Sequence, residues 1–180
     1  MATSDKKRAQ AYVEQLQQEL DDLRDTGVLL DGNIPSEVLF IANFAKDSFD
    51  ETQLIDPHAL DALEKSLSAL GYLDKAYSIL SSVSLTEIHS EKKAVLLPRE
   101  LIRLSVEVID PISIVSLDTE SSKVLAQAFE MESFNFGQLY ECLGRRVLNL
   151  SGFAKSLDDS YEKQRMWHAL KLLPPEQAPL

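Results

Sequence analysis

The chain has 180 residues, 20.2 kDa, with hydrophobic residues at 44% and charged residues at 26%, a composition that suits one globular domain and not a disordered, collagen-like or coiled-coil chain. Its 18 Lys+Arg against 29 Asp+Glu give a net charge of −11, which excludes a uniformly basic DNA-coating surface because phosphate binding needs clustered cations. The single cysteine, Cys142, excludes an intrachain disulfide, a four-cysteine iron–sulfur cluster and any multi-cysteine zinc site.

From Asp5 to Arg24 the apolar residues Val13, Leu16, Leu20 and Leu23 fall at helical spacing, predicting one stripe on a helix whose other faces are polar. Gly27 ends the pattern, and Asp31-Gly32-Asn33-Ile34-Pro35 reads as a turn-rich linker. Residues 1–33 are therefore expected to form a helical arm and linker. The stripe can pack on the domain or meet a protein partner.

After Pro35 strands and helices alternate. Val38–Ala42 is a continuous apolar run, as expected of a strand buried on both faces. Asp56-Pro57 starts a helix, with Asp as N-cap and Pro at the first position, and Leu60, Leu63, Leu67 and Leu70 form its core face before Gly71. Ala76–Leu80 predicts a second strand, followed by a polar stretch containing Glu87, His89, Glu91, Lys92 and Lys93. A helix from Pro98 turns Leu101, Ile102, Ser105, Val106 and Ile109 to one side and stops at Asp110-Pro111. Ile112–Leu117 is the clearest strand; Asp118 or Thr119 then caps a helix carrying Val124, Leu125, Ala128 and Phe129. Arg146–Leu150 predicts a fourth strand, and Asp158-Asp159-Ser160 caps a last helix with Met166, Trp167, Leu170 and Leu173. This alternation predicts a three-layer α/β/α domain over residues 34–173, with a mostly parallel sheet of about four strands, and a frayed tail over 174–180.

No apolar run approaches the roughly 18 residues needed to cross a bilayer. The charged N-terminus is followed by no apolar stretch, so neither a secretory signal nor a membrane contact is expected. Sparse cysteine fits the reducing cytoplasm. The histidines His58, His89 and His168 lie far apart, and no Gly-x-Gly-x-x-Gly or Walker-type loop occurs, so no metal or other cofactor is expected. The acidic groups Asp47/Asp50/Glu51 and Asp158/Asp159 read as solvated loop charge and helix capping. Cys142 reads as a buried small hydrophobe. Six cations, Arg145, Arg146, Lys155, Lys163, Arg165 and Lys171, stand against three acids between Leu143 and Lys171, a basic patch that could face phosphate or a partner.

Several segments resemble the uracil-DNA glycosylase superfamily: Ser36–Ala42, the Leu-rich helix ending Leu70-Gly71-Tyr72, Val108-Ile109-Asp110-Pro111 before Ile114–Leu117, Glu120–Ala126, Gly144–Leu148 and Lys163–Lys171. The resemblance spans roughly residues 36 to 172. It implies a glycosylase-like α/β/α scaffold whose first-strand loop would carry the water-orienting residue, here at Asn43. An amide can position water but cannot act as a general base. The family's His-Pro-small triplet after the fourth strand is replaced by Ser151-Gly152-Phe153, and Leu80-Ser81-Ser82 stands where a base-reading asparagine would follow the second strand. Losing one charge-stabilising donor typically costs about 100-fold to 1000-fold in rate, so the resemblance implies a degenerate scaffold. The chain is also similar to the psi subunits of the bacterial DNA polymerase III clamp-loader assembly, through the N-terminal helix, Phe40-Ile41-Ala42-Asn43, Leu150-Ser151-Gly152 and Trp167. That similarity implies an adaptor in DNA replication or repair. Two other readings stay open: an active glycosylase of an atypical branch using Asn43, and an acidic protein that mimics DNA charge.

Overall fold

In the computed structural model, residues 2–43, 54–88, 91–173 and 175 are described. The order of elements begins with helix α1 (Ala2–Asp25), strand β1 (Leu30–Gly32), strand β2 (Val38–Ala42), helix α2 (Pro57–Leu70) and strand β3 (Tyr77–Ser81). A hairpin, β4 (Val83–Ile88) and β5 (Glu91–Leu96), precedes α3 (Arg99–Ile109), β6 (Ser113–Ser116) and α4 (Thr119–Ala128). The chain continues through β7 (Leu139–Cys142), β8 (Arg145–Asn149), the single-turn α5 (Phe153–Ser156) and α6 (Ser160–Leu170).

The main sheet runs β1-β3-β2-β6-β8-β7. Its four central strands are parallel, with Phe40 opposite Ile79 on one side and Val115 on the other, while β1 and β7 pair antiparallel at the edges. The expected three-layer α/β/α fold is therefore present, widened by the two edge strands. Strand alternation sorts the core. Val38, Phe40, Ala42, Ile79, Val115 and Leu148 pack with Leu63 and Leu67 of α2 and Met166 and Leu170 of α6. Leu39, Ile41, Leu80, Ile114 and Val147 face Ile102, Val106 and Ile109 of α3 and Val124 and Leu125 of α4. All five residues of β2 are buried, which is why that run is apolar without alternation.

Local chemistry places the helix ends. The Asp56 carboxylate accepts from the backbone N–H groups of His58 and Ala59 at the start of α2, and Asp159 does the same for Tyr161 and Glu162 at α6. Gly71 closes α2 at φ 95°, a left-handed conformation costly for a residue with a Cβ. Asp110 ends α3, and Pro111 follows.

The N-terminal bounds need correction, and the α1 stripe divides between the two expected uses. Residues 1–33 are not all arm and linker, because Leu30–Gly32 join the main sheet as β1. Gly32 makes the close pairing possible: a Cβ there would stand 2.7 Å from the Tyr77 carbonyl oxygen and 2.8 Å from Ser78 Cα. Three of the four stripe residues pack on the body, so they are not free to meet a partner. Val13 is 62% exposed, whereas Leu16, Leu20 and Leu23 are at 8%, 5% and 2%. The C-terminal half of α1 is docked on the body against α3. Its N-terminal half projects, with Gln10 to Gln15 all exposed. Side-chain bonds from Gln10 to Glu14, Gln15 to Glu19, Gln17 to Asp21 and Gln18 to Asp22 support the projecting and docked turns alike; such i,i+4 pairs contribute about 0.2–0.5 kcal/mol each.

The polar stretch after β3 is the hairpin β4/β5, in which Glu87 stands opposite Lys92 and Thr86 opposite Lys93. Phe44, the acidic group Asp47/Asp50/Glu51, His89 and the tail beyond Pro175 lie outside the described residues. Among the described residues no helix is long and apolar enough to cross a membrane.

Candidate functional site

The chain leaves β2 toward β3 on one side of it, while β6 lies on the other. In open α/β sheets the crevice beyond the carboxyl ends of strands at such a reversal is the usual ligand position. A cleft of about 410 Å³ occupies that place. Ala42 and Asn43 enter from the end of β2, Leu117 and Asp118 from the end of β6, Ile55 and Pro57 from the start of α2, and Phe153 from α5. The fold thus gathers around one cavity Asn43, after β2, and Phe153, from the turn after β8.

Asp118 is the polar centre of the cleft, and it is engaged within the protein. Its Oδ2 accepts from the Asn43 backbone N–H at 2.6 Å, and its Oδ1 accepts from the Ser121 N–H at 2.8 Å as N-cap of α4. The Ser121 hydroxyl in turn accepts from the Asp118 N–H, closing a capping box. One carboxylate therefore ties the end of β2 to the start of α4. Asp56, the other carboxylate at the cleft among the described residues, caps α2. Both acids hold backbone donors, the task of a structural carboxylate.

The turn after β8 is fixed by Asn149, which is 7% exposed. Its Oδ1 accepts from the Ser151 N–H at 2.9 Å and the Ser151 hydroxyl at 2.5 Å, and its Nδ2 donates to the Phe134 carbonyl at 2.6 Å. The Gly152 and Phe153 N–H groups both reach the Leu117 carbonyl at 3.2 Å. Ser151 is thus bonded to Asn149 through both its backbone N–H and its hydroxyl. Gly152 has φ 89° and supplies no side chain to polarise a substrate. The sequence marked Asp118 as a possible cap and placed Asn149 in a strand. It did not show their long-range bonds, because a cap signature is local and Asn43 lies 75 residues from Asp118.

Arg145 is set apart from the other five cations. Arg145 and Arg146 are consecutive on β8 and point to opposite faces. The Arg145 side chain, 11% exposed, turns to the α3 face and pairs with Glu107 at 3.4 Å and Asp110 at 3.0 Å. Lys155, Lys163, Arg165 and Lys171 sit on or beside α5 and α6 on the other face. Arg165 pairs with Glu162 at 3.1 Å and stacks 3.9 Å above the Phe136 ring. The Lys171 ammonium lies 5.4 Å from the Trp167 ring centroid. Lys163 lines a shallow groove beside Leu157 and Trp167. Strand alternation therefore divides the Arg145-Arg146 pair and takes Arg145 out of the expected patch, while Arg165 and Lys171 already have partners.

Cys142 is buried and free. Burial pushes its thiol pKa up, which holds it as the unreactive thiol. Among the described residues no three His, Cys, Asp or Glu side chains are placed to hold a metal ion. No protein-family model matches this chain, and no curated protein matches it in sequence.

Proposed function

We propose that this protein is a non-catalytic, cytoplasmic adaptor on a degenerate uracil-DNA-glycosylase-like scaffold, acting with a protein partner in DNA replication or repair, in the manner of a psi subunit. The observation that carries the non-catalytic part is the state of the cleft. Asp118 and Asp56 are occupied with backbone N–H donors, and the family's histidine position is taken by Ser151-Gly152, with Ser151 bonded to Asn149. A general acid or base needs a titratable group within reach of the reacting proton, and among the described residues the carboxylates lining the cleft serve helix ends instead. The adaptor part rests on the sequence resemblances and on the exposed N-terminal half of α1, with Tyr12 at 58% and Val13 at 62% exposure. Single cysteine usage supports the cytoplasmic setting.

The test is affinity capture of the full-length protein from its source cells, compared with a variant lacking residues 1–14. That truncation spares Leu16, Leu20, Leu23 and β1, so the body keeps its core. The expected result is recovery of replication or repair components that falls sharply on truncation. Recovery of none, from a folded and soluble protein, contradicts the reading.

A further inference from the structure

Between α1 and α3 lies a groove of about 420 Å³. Its apolar lining is Leu23 at the base, 2% exposed, with half-buried Val108 and Leu104, which is 49% exposed. Its charged lining is wholly acidic: Glu19 and Asp22 from α1 and Glu107 from α3. Glu107 also meets Arg145, whose side chain is largely covered. At 100° per residue, Gln15 and Tyr12 continue the Glu19 face of α1 toward its N-terminus. Tyr12 is 58% exposed, so the groove leads onto an exposed aromatic. Arg8, the cation described on that face, stands three helical turns beyond Glu19.

We propose that this groove docks an amphipathic, cationic segment of a protein partner. Its apolar side chains cover Leu104 and Val108, and its Lys or Arg heads meet Glu19, Asp22 and Glu107. Charge complementarity selects this occupant. Three carboxylates repel a nucleic acid or an anionic membrane surface. A symmetric pairing of two copies through the groove would set the same acids against each other. An apolar centre with a charged margin is the usual anatomy of a specific protein contact, in which margin charges set encounter rate and partner choice. The biological use of the groove rests on the adaptor reading; the binding itself does not.

The experiment is fluorescence anisotropy of the full-length protein with a labelled amphipathic helix built of Leu, Lys and Ala. The same peptide with Glu for Lys serves as control. The variants are Glu19→Lys/Asp22→Lys, Leu104→Ser, and Glu132→Lys/Asp158→Lys, which makes the same net charge change at exposed sites away from the groove. The groove charge reversal is expected to weaken binding about tenfold or more, and the remote reversal less than about threefold. Leu104→Ser, at a half-exposed position, is expected to weaken binding several-fold while circular dichroism and melting stay as in the parent. Equal losses from both reversals, insensitivity to Leu104→Ser, equally good binding of the Glu peptide, or no binding of the Lys peptide each overturn the proposal. Uracil excision by a protein that still shows groove-dependent binding would remove the proposed function and leave the groove standing.

Discussion

Replacing Asp118 with alanine removes two bonds at once. The cap on α4, made to the Ser121 N–H at 2.8 Å, is of a kind worth about 1 kcal/mol. The bond from the Asn43 N–H at 2.6 Å leaves a part-buried donor without its acceptor, at a cost of about 1–3 kcal/mol. Together these give a loss of about 2–4 kcal/mol, or a fall in Tm of roughly 5–15 °C for a chain of this length. Asp118→Asn separates the two contributions. Its amide oxygen keeps the cap, since asparagine is as good an N-cap as aspartate, but its NH2 group then faces the Asn43 N–H, donor to donor. The asparagine variant should therefore lose less than the alanine variant and more than a surface change. Urea unfolding followed by circular dichroism, with an unchanged denaturant slope, measures both values. An Asp118→Ala protein within about 0.5 kcal/mol of the parent would refute the structural role, because so small an effect is typical of an unengaged surface residue.

The α1 stripe should divide in the same assay. Leu23→Ala, at a position 2% exposed, is expected to cost about 2–4 kcal/mol, whereas Val13→Ala at 62% exposure should change stability by less than about 0.5 kcal/mol. Comparable losses at the two positions would contradict the half-docked arrangement. The alkaline limb of stability carries a second signature. Burial first, and then the hydrogen bond and charge of Glu64, raise the pKa of Tyr77 well above its ordinary 10, and burial raises that of Tyr72. Above about pH 10 the unfolded chain sheds these protons while the folded protein keeps them. Stability should therefore be complete below that pH and decline as pH rises toward the folded values. Tyr77→Phe should flatten the decline in urea titrations across this range; an unchanged slope would count against the assignment.

Legibility followed the range of the signal. The four central strands stood out because each carries buried apolar residues, all of β2, Ile79-Leu80 in β3, Ile114-Val115 in β6 and Val147-Leu148 in β8, and helix ends stood out where Asp56-Pro57, Gly71 and Asp110-Pro111 punctuate the chain. The edges were hidden. β1 is three residues long and includes Asp31 and Gly32, which read locally as a turn. β7 keeps Leu139 and Glu141 exposed and buries only Cys142, so it lacks an apolar run. The β4/β5 hairpin is hidden by its charged residues, which interrupt the apolar pattern there. At the cleft, Asn43 could be placed from its position after β2. The commitment of Asp118 to Asn43 could not, because it depends on the packing of β2 beside β6.

The central proposal is an adaptor whose Asn43–Asp118 cleft does not catalyse. It is tested most directly by single-turnover excision, with the protein in excess over a labelled oligonucleotide containing uracil, single-stranded and paired. No abasic product above the uncatalysed background is the result this account predicts. Product that forms with the parent protein and disappears with Asn43→Ala would contradict it.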